Sequence, residues 1–134
     1  LGDVYKRQEI QNLDNSKNIF VTGYVEDTNE YLDRASVVIA PMISGAGIQN
    51  KIIQAMGRGR CVVTTKIGSE GLSIEKGEIG IANSNLELAN LLVSLLNDPA
   101  QRVKMGKLAK GYIMERLSRE TIGKEFQEFI QGAY

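Results

Sequence analysis

Residues Ser36–Leu72 read SVVIAPMISGAGIQNKIIQAMGRGRCVVTTKIGSEGL, and this stretch decides the fold. An apolar, β-branched run from Ser36 to Pro41 ends in a glycine-containing loop, Ser44-Gly45-Ala46-Gly47. A helix-periodic segment over Ile48–Met56 follows, with Ile48, Ile52, Ala55 and Met56 on one side. Gly57 and Gly59 end that helix, because glycine takes the positive φ that closes helices. A second apolar run, Cys61–Thr65, comes next. Strand, loop, helix and strand in this order predict a right-handed parallel crossover, and hence an α/β fold. Ligands of such sheets bind outside the carboxyl ends of the strands, where helix N-termini present free N–H groups to anions. A phosphate-bearing ligand is therefore expected near Gly45–Lys51.

Gly47, Lys51, Gln54 and Arg58 follow one another at helical spacing and share a polar face opposite the isoleucines. Lys51 lies one turn into the helix, where its ammonium can join the backbone amides in holding a diphosphate. Gln54 offers both a donor and an acceptor to hydroxyl groups. The same spacing fits an ordinary solvated helix face equally well. The loop matches neither GxxxxGK[ST] nor GxGxxG.

Composition narrows the function classes. In 134 residues there is room for one domain of ordinary size. Sixteen basic and sixteen acidic side chains balance, so no overall field favours nucleic acid. The absence of Trp, with only three Phe, argues against a base-stacking platform. No apolar run approaches the ~20 residues of a membrane span, and no signal peptide is visible. The chain has no histidine, which removes His-based acid–base catalysis and His-ligated metal sites. Its single cysteine, Cys61, heads an apolar strand and reads as a small core residue rather than a nucleophile.

The wider chain continues the α/β pattern. Asn18–Val21 (NIFV) reads as a short buried strand stopped at Gly23. Asp27-Thr28-Asn29-Glu30 can cap a short helix carrying Tyr31, Leu32 and Ala35. Ile67–Leu72 reads as a turn built on Gly68 and Gly71. Ile79–Ala82 is a weak further strand. Asn83-Ser84-Asn85 supplies caps for a helix with a stripe of Leu88, Leu91, Leu92, Leu95 and Leu96, which is too short for a zipper. Pro99 suits the first turn of the next helix, whose apolar positions are Val103, Met105, Leu108, Tyr112, Ile113 and Leu117. Lys104, Lys107 and Lys110 form a solvated face rather than a lipid-binding cluster. Ser118-Arg119-Glu120 is expected to open a last helix with Ile122, Phe126, Phe129 and Ile130.

The N-terminus stands apart. There is no initiator Met, and Asp3-Val4-Tyr5-Lys6-Arg7-Gln8 is the translation of GATGTGTATAAGAGACAG, a transposase mosaic end used in sequencing-library preparation. Residues 1–8 are accordingly expected to be an adapter scar, and 9–134 part of a domain from a longer, metagenomic gene.

The ordered succession VTGYV (from Val21), YLDRASVVIAP (from Tyr31), GAGIQNKIIQAMGRGRCVVTTKIGSEGL (from Gly45) and NDPAQRVKMGKLAKGYIMERLS (from Asn97) resembles the C-terminal half of group 1, RfaG-like glycosyltransferases of GT-B fold. The nearest branch is the bacterial sugar transferases of polysaccharide export, and the similarity runs from about Asn18 to Leu117. It implies a parallel Rossmann-like sheet with flanking helices, and an N-terminally truncated donor-binding half. It implies that Ser44, Gly45, Ala46, Gly47, Asn50 and Lys51 lie near the diphosphate of a nucleotide-sugar donor. Position 54 would face the ribose, with Tyr24 and Val25 near the base. The family's usual glutamate pair falls at Ala46 and Gln54, and a neutral amide cannot offer a carboxylate's charge-assisted hydrogen bonds.

By the same resemblance the parent is an enzyme, a hexosyltransferase-like glycosyltransferase acting on a glycan or lipid-linked acceptor. It would need no cofactor and no metal, with Lys51 stabilising the leaving diphosphate. No acid or base in this chain is assigned a catalytic role, so the piece alone is expected to be inactive. An acceptor-binding N-terminal domain would be its missing partner. The implied location is cytoplasmic, with room for peripheral association of the parent at the inner face of the membrane. Gln54 keeps open a second reading, a non-catalytic nucleotide-binding or interaction module. A receiver or flavodoxin-like domain lacks support, since no acidic cluster sits at a strand end.

Overall fold

In a computed structural model of the chain, residues 8–43 and 50–120 are described. After a helical turn over 8–11, the elements are α1 (Asn29–Arg34), β1 (Val38–Ala40), α2 (Asn50–Gly57), β2 (Val62–Thr65), β3 (Gly80–Ala82), α3 (Asn85–Leu96) and α4 (Pro99–Glu120). The three strands form one parallel sheet in the order β1-β2-β3. Val38 pairs with Val62 and Ala40 with Thr64, while Val63 pairs with Gly80 and Thr65 with Ala82. Parallel neighbours require a crossover. Helix α2 supplies the first, and the turn-rich segment over 66–79 supplies the second. The α/β, Rossmann-like class expected from the sequence is the class observed.

The central strand explains the core. Successive side chains of a strand point to opposite faces. Val62 packs with Ile52, Ile53, Ala55 and Met56 of α2 and with Ala109 and Ile113 of α4. Val63 turns the other way, with Cys61, towards Leu95 of α3 and Met105. Both valines are fully buried, as expected of an inner strand covered on both sides. Each large side chain buried this way contributes about 1.5–3 kcal/mol. Helix α4 lies against the turn after α2. A Cβ on Gly106 would stand 2.1 Å from the Gly59 carbonyl oxygen, so only glycine allows that approach. Gly59 itself has φ +73°, and its N–H donates to the Met56 carbonyl to close α2.

Side chains cap the starts of α3 and α4 and the end of α3. The Ser84 hydroxyl accepts from the Glu87 N–H at 3.1 Å, and the Glu87 carboxylate accepts from the Asn83 N–H at 2.7 Å. The Asp98 carboxylate accepts from the Gln101 N–H at 3.1 Å, just ahead of Pro99 at the first position of α4. Arg102 donates to the Leu95 and Leu96 carbonyls at the end of α3, where a cation suits the helix dipole. Of the leucine stripe, Leu88, Leu91, Leu92 and Leu95 face the core, while Leu96 is exposed.

Two expectations are corrected. Asn18–Val21 is not a strand: Ile19 and Phe20 are exposed, and among the described residues the segment pairs with no strand. Side chains hold it instead. The Asp14 carboxylate accepts from the Val21 N–H at 2.8 Å, and the Asn15 side-chain oxygen accepts from the N–H groups of Lys17, Asn18 and Ile19. Backbone donors satisfied by nearby Asx side chains are withdrawn from a ladder. The Val21 N–H, and after it the Ser16 N–H, hold the Asp14 carboxyl below its usual pKa. Second, no helix opens at Ser118, because α4 runs unbroken to Glu120. Ile122, Phe126, Phe129 and Ile130 lie outside the described residues.

Candidate functional site

The carboxyl ends of β1 and β2 are tied together by two hydroxyls. Thr64 Oγ1 donates to the Ala40 carbonyl at 2.7 Å, and Thr65 Oγ1 donates to the Met42 carbonyl at 2.5 Å. Thr65 Oγ1 also accepts from the Gly68 N–H at 3.2 Å, and the Thr65 carbonyl accepts from the Ser69 N–H. The loop after β2 thus folds back on the strand end as the expected turn. Gly68 is required there, because an added Cβ would lie 2.0 Å from Thr64 Oγ1. These bonds tie the two strand ends to each other and to the turn that follows β2.

The loop residues Ser44, Gly45, Ala46 and Gly47, and Ile48 at the expected helix start, lie outside the described residues. Asn50 and Lys51 open the described part of α2, both exposed. Among the described residues, Lys51 has no ion pair and no side-chain hydrogen bond. Tyr24 is 90% exposed, and Val25 is half-buried.

The rest of the polar face does not look to solvent. Gln54 is buried, and its Nε2 donates to Asn29 Oδ1 at 2.7 Å and to Thr28 Oγ1 at 3.3 Å. Arg58 makes a two-pronged pair with the Asp33 carboxylate, its Nε at 2.7 Å and one terminal nitrogen at 2.5 Å. That hydrogen bond holds the Asp33 carboxyl below its ordinary pKa and raises that of the Arg58 guanidinium. Arg60 adds a hydrogen bond to the Asp33 carbonyl at 2.8 Å. Three residues of one helix face therefore divide. Gln54 and Arg58 fasten α1, and Lys51 stays open. The same contacts bring the chain just after Tyr24 and Val25 beside α2.

Cys61 is 3% exposed, its sulfur 3.9 Å from that of Met105, and burial pushes its thiol pKa up. A thiol in that state is a poor nucleophile. Among the described residues no group of His, Cys, Asp or Glu is placed to hold a metal ion, and no helix is long and apolar enough to cross a membrane.

A cleft of about 590 Å³ lies elsewhere, between residues 71–78 and α4. Tyr112 and Arg116 build its wall. The Tyr112 hydroxyl accepts from the Ser73 N–H at 3.0 Å and from Arg116, which also donates to the Gly71 carbonyl. None of the sequence-predicted site residues lines it. Lys76, Lys107 and Arg116 are matched there by Glu75, Glu78 and Glu115, which leaves no net charge to draw a diphosphate. Its residues fall on a helix face and in a polar loop, so no spacing signal marked them.

Comparison with known proteins agrees with the resemblance. The family described as "Glycosyl transferases group 1" matches residues 1–98. A curated protein of Klebsiella pneumoniae, described as an uncharacterized 44.6 kDa protein in the cps region, is 28% identical over 116 residues. The matched part is 85% of this chain and 30% of that protein, so the chain spans less than a third of its relative's length. No solved structure matches significantly. With most of its length matched by that family, the chain belongs to the group 1 glycosyltransferases.

Proposed function

We propose that this chain is the donor-binding part of a longer glycosyltransferase, and that it holds the diphosphate of a nucleotide-sugar at the carboxyl end of its sheet. Family membership supports glycosyl transfer in general. The relative's place in a cps region favours a polysaccharide-associated transferase. Lys51 carries the finer reading. It is the one cation of its helix face that no described side chain engages, and it stands in the first turn of α2.

The chemistry follows from that placement. An acceptor hydroxyl oxygen attacks the anomeric carbon, the bond from that carbon to the phosphate oxygen breaks, and its electron pair stays on the diphosphate. The hydroxyl proton leaves to a base outside this chain. Charge gathers on the departing diphosphate, where Lys51 and N–H groups at the start of α2 are suited to receive it. Held in place beforehand, such groups stabilise the transition state more than the substrate.

One observation favours a second reading, a non-catalytic module of the same fold. Gln54 stands where the family resemblance places a carboxylate, and its amide is engaged with α1. The two readings part on the longer gene and on Lys51. An upstream sheet-and-helix domain of comparable or larger size supports the enzyme, whereas a start codon close to Glu9 supports the module. In the full-length protein, Lys51→Ala is expected to weaken nucleoside diphosphate binding by about 1–3 kcal/mol, as for a charged hydrogen bond.

A further inference from the structure

We propose that the cleft between residues 71–78 and α4 is a carbohydrate subsite, which takes an uncharged stretch of sugar chain. Its volume of about 590 Å³ lies in the range of ligand pockets. Glu78, which lines it, is only 4% exposed. Gly77, at φ +78°, bends the chain, and Glu78 Oε1 accepts from the Lys76 N–H. The other carboxylate oxygen, Oε2, has no donor among the described residues. Glu78 has no ion pair among them either, although Lys76, Lys107 and Arg116 line the same cleft. Oε2 is not sealed in, since the one enclosed polar side-chain atom without a partner among the described residues is Arg60 Nε. A buried carboxylate is costly until its oxygens are hydrogen-bonded. Oε2 is thus an acceptor left for a donor brought into the cleft.

The neighbouring groups set the class of ligand. The Tyr112 hydroxyl accepts from the Ser73 N–H and from Arg116, so its own proton is left to donate. Lys107, also on the cleft wall, has no ion pair among the described residues. Acceptors and donors therefore stand together, and a hydroxyl group answers both. The cations and carboxylates of the lining are equal in number, so a net charge on the ligand meets as much repulsion as attraction. Apolar lining is confined to Leu108 and the Tyr112 ring, too little to seat the side chains of a peptide. A neutral, hydroxyl-rich chain fits these terms best.

The test is calorimetric titration of the full-length protein with maltohexaose, cellohexaose and mannohexaose, and with the acidic hexagalacturonate. At least one neutral chain is expected to bind, and hexagalacturonate to bind no more tightly. Gly111 lines the cleft, and an added Cβ there meets nothing within 4 Å, so Gly111→Leu obstructs the cleft without a clash at Cβ. It is expected to weaken the neutral chain by about tenfold or more. Its urea midpoint should not fall below that of the wild type, since leucine is the better helix former. Glu78→Gln removes the charge and turns one oxygen into a donor. It is expected to weaken the same ligand by roughly 10- to 100-fold, as for a hydrogen bond to a charged group. Should that variant fail to fold, Gly111→Leu decides alone. Unchanged affinity in Gly111→Leu, or in a folded Glu78→Gln, places the sugar elsewhere and overturns the proposal. So does a wild type that binds none of the three neutral chains, or one that prefers hexagalacturonate. None of these outcomes depends on nucleoside diphosphate binding, so the donor-site reading stands or falls separately.

Discussion

Cys61–Thr65 and Asn18–Val21 are both short apolar runs rich in strand-forming residues, yet only the first contributes a strand, Val62–Thr65. Val62 and Val63 are fully buried, with a parallel neighbour on each side. Ile19 and Phe20 are 47% and 66% exposed, and the backbone beside them is satisfied by the Asp14 and Asn15 side chains. Local sequence is nearly the same in kind. The difference is tertiary, because β-propensity measures how well a residue fits a partly buried sheet rather than an intrinsic backbone choice.

That contrast can be tested from the inside outward. Met56→Ala empties a fully buried place between α2 and its neighbours, and is expected to cost about 2–5 kcal/mol in urea unfolding. A cost below 1 kcal/mol would mean that α2 is not seated as described. Gly106→Ala should come next, at about 1–3 kcal/mol, because its methyl meets the Gly59 carbonyl. Arg58→Ala should cost no more than about 1 kcal/mol, since the pair with Asp33 is partly open to solvent, Asp33 at 48%.

That pair also sets a pH dependence. The folded-state pKa of Asp33 is lowered, first by the Arg58 hydrogen bond, so its contribution is complete above the unfolded value of about 3.9 and is lost as pH falls through the folded value. Urea midpoints measured across that acid range should fall less steeply in Arg58→Ala. An unchanged slope would detach Arg58 from α1. Phe20→Ala is expected to have the smallest effect, within about 0.5 kcal/mol, as for an exposed side chain. A loss comparable to that of Met56→Ala would show that Asn18–Val21 is covered in solution.

Much of the fold was legible because periodicity reports burial directly. The helix over Asn50–Gly57, the strand Val62–Thr65 and the cap at Ser84 all follow from spacing and residue type. The site was legible in part. A helical wheel separates polar from apolar sides, but it cannot distinguish water from a polar neighbour. Lys51 faces outward as its position suggests, whereas Gln54 and Arg58 on the same side meet α1 across 25 residues of sequence. Nothing in the spacing links Asn29 to Gln54, since such a pair exists only once the sheet has brought α1 and α2 together. Tyr112 teaches the same lesson. Its ring fits the apolar stripe of α4, but its hydroxyl anchors Ser73.

The most direct test of the account is calorimetric titration of nucleoside diphosphates into the full-length protein and its Lys51→Ala variant. The account predicts binding by the wild type and a loss of roughly 5- to 150-fold in the variant, the equivalent of 1–3 kcal/mol. Equal affinity in the two proteins, or no binding by the wild type, would contradict it.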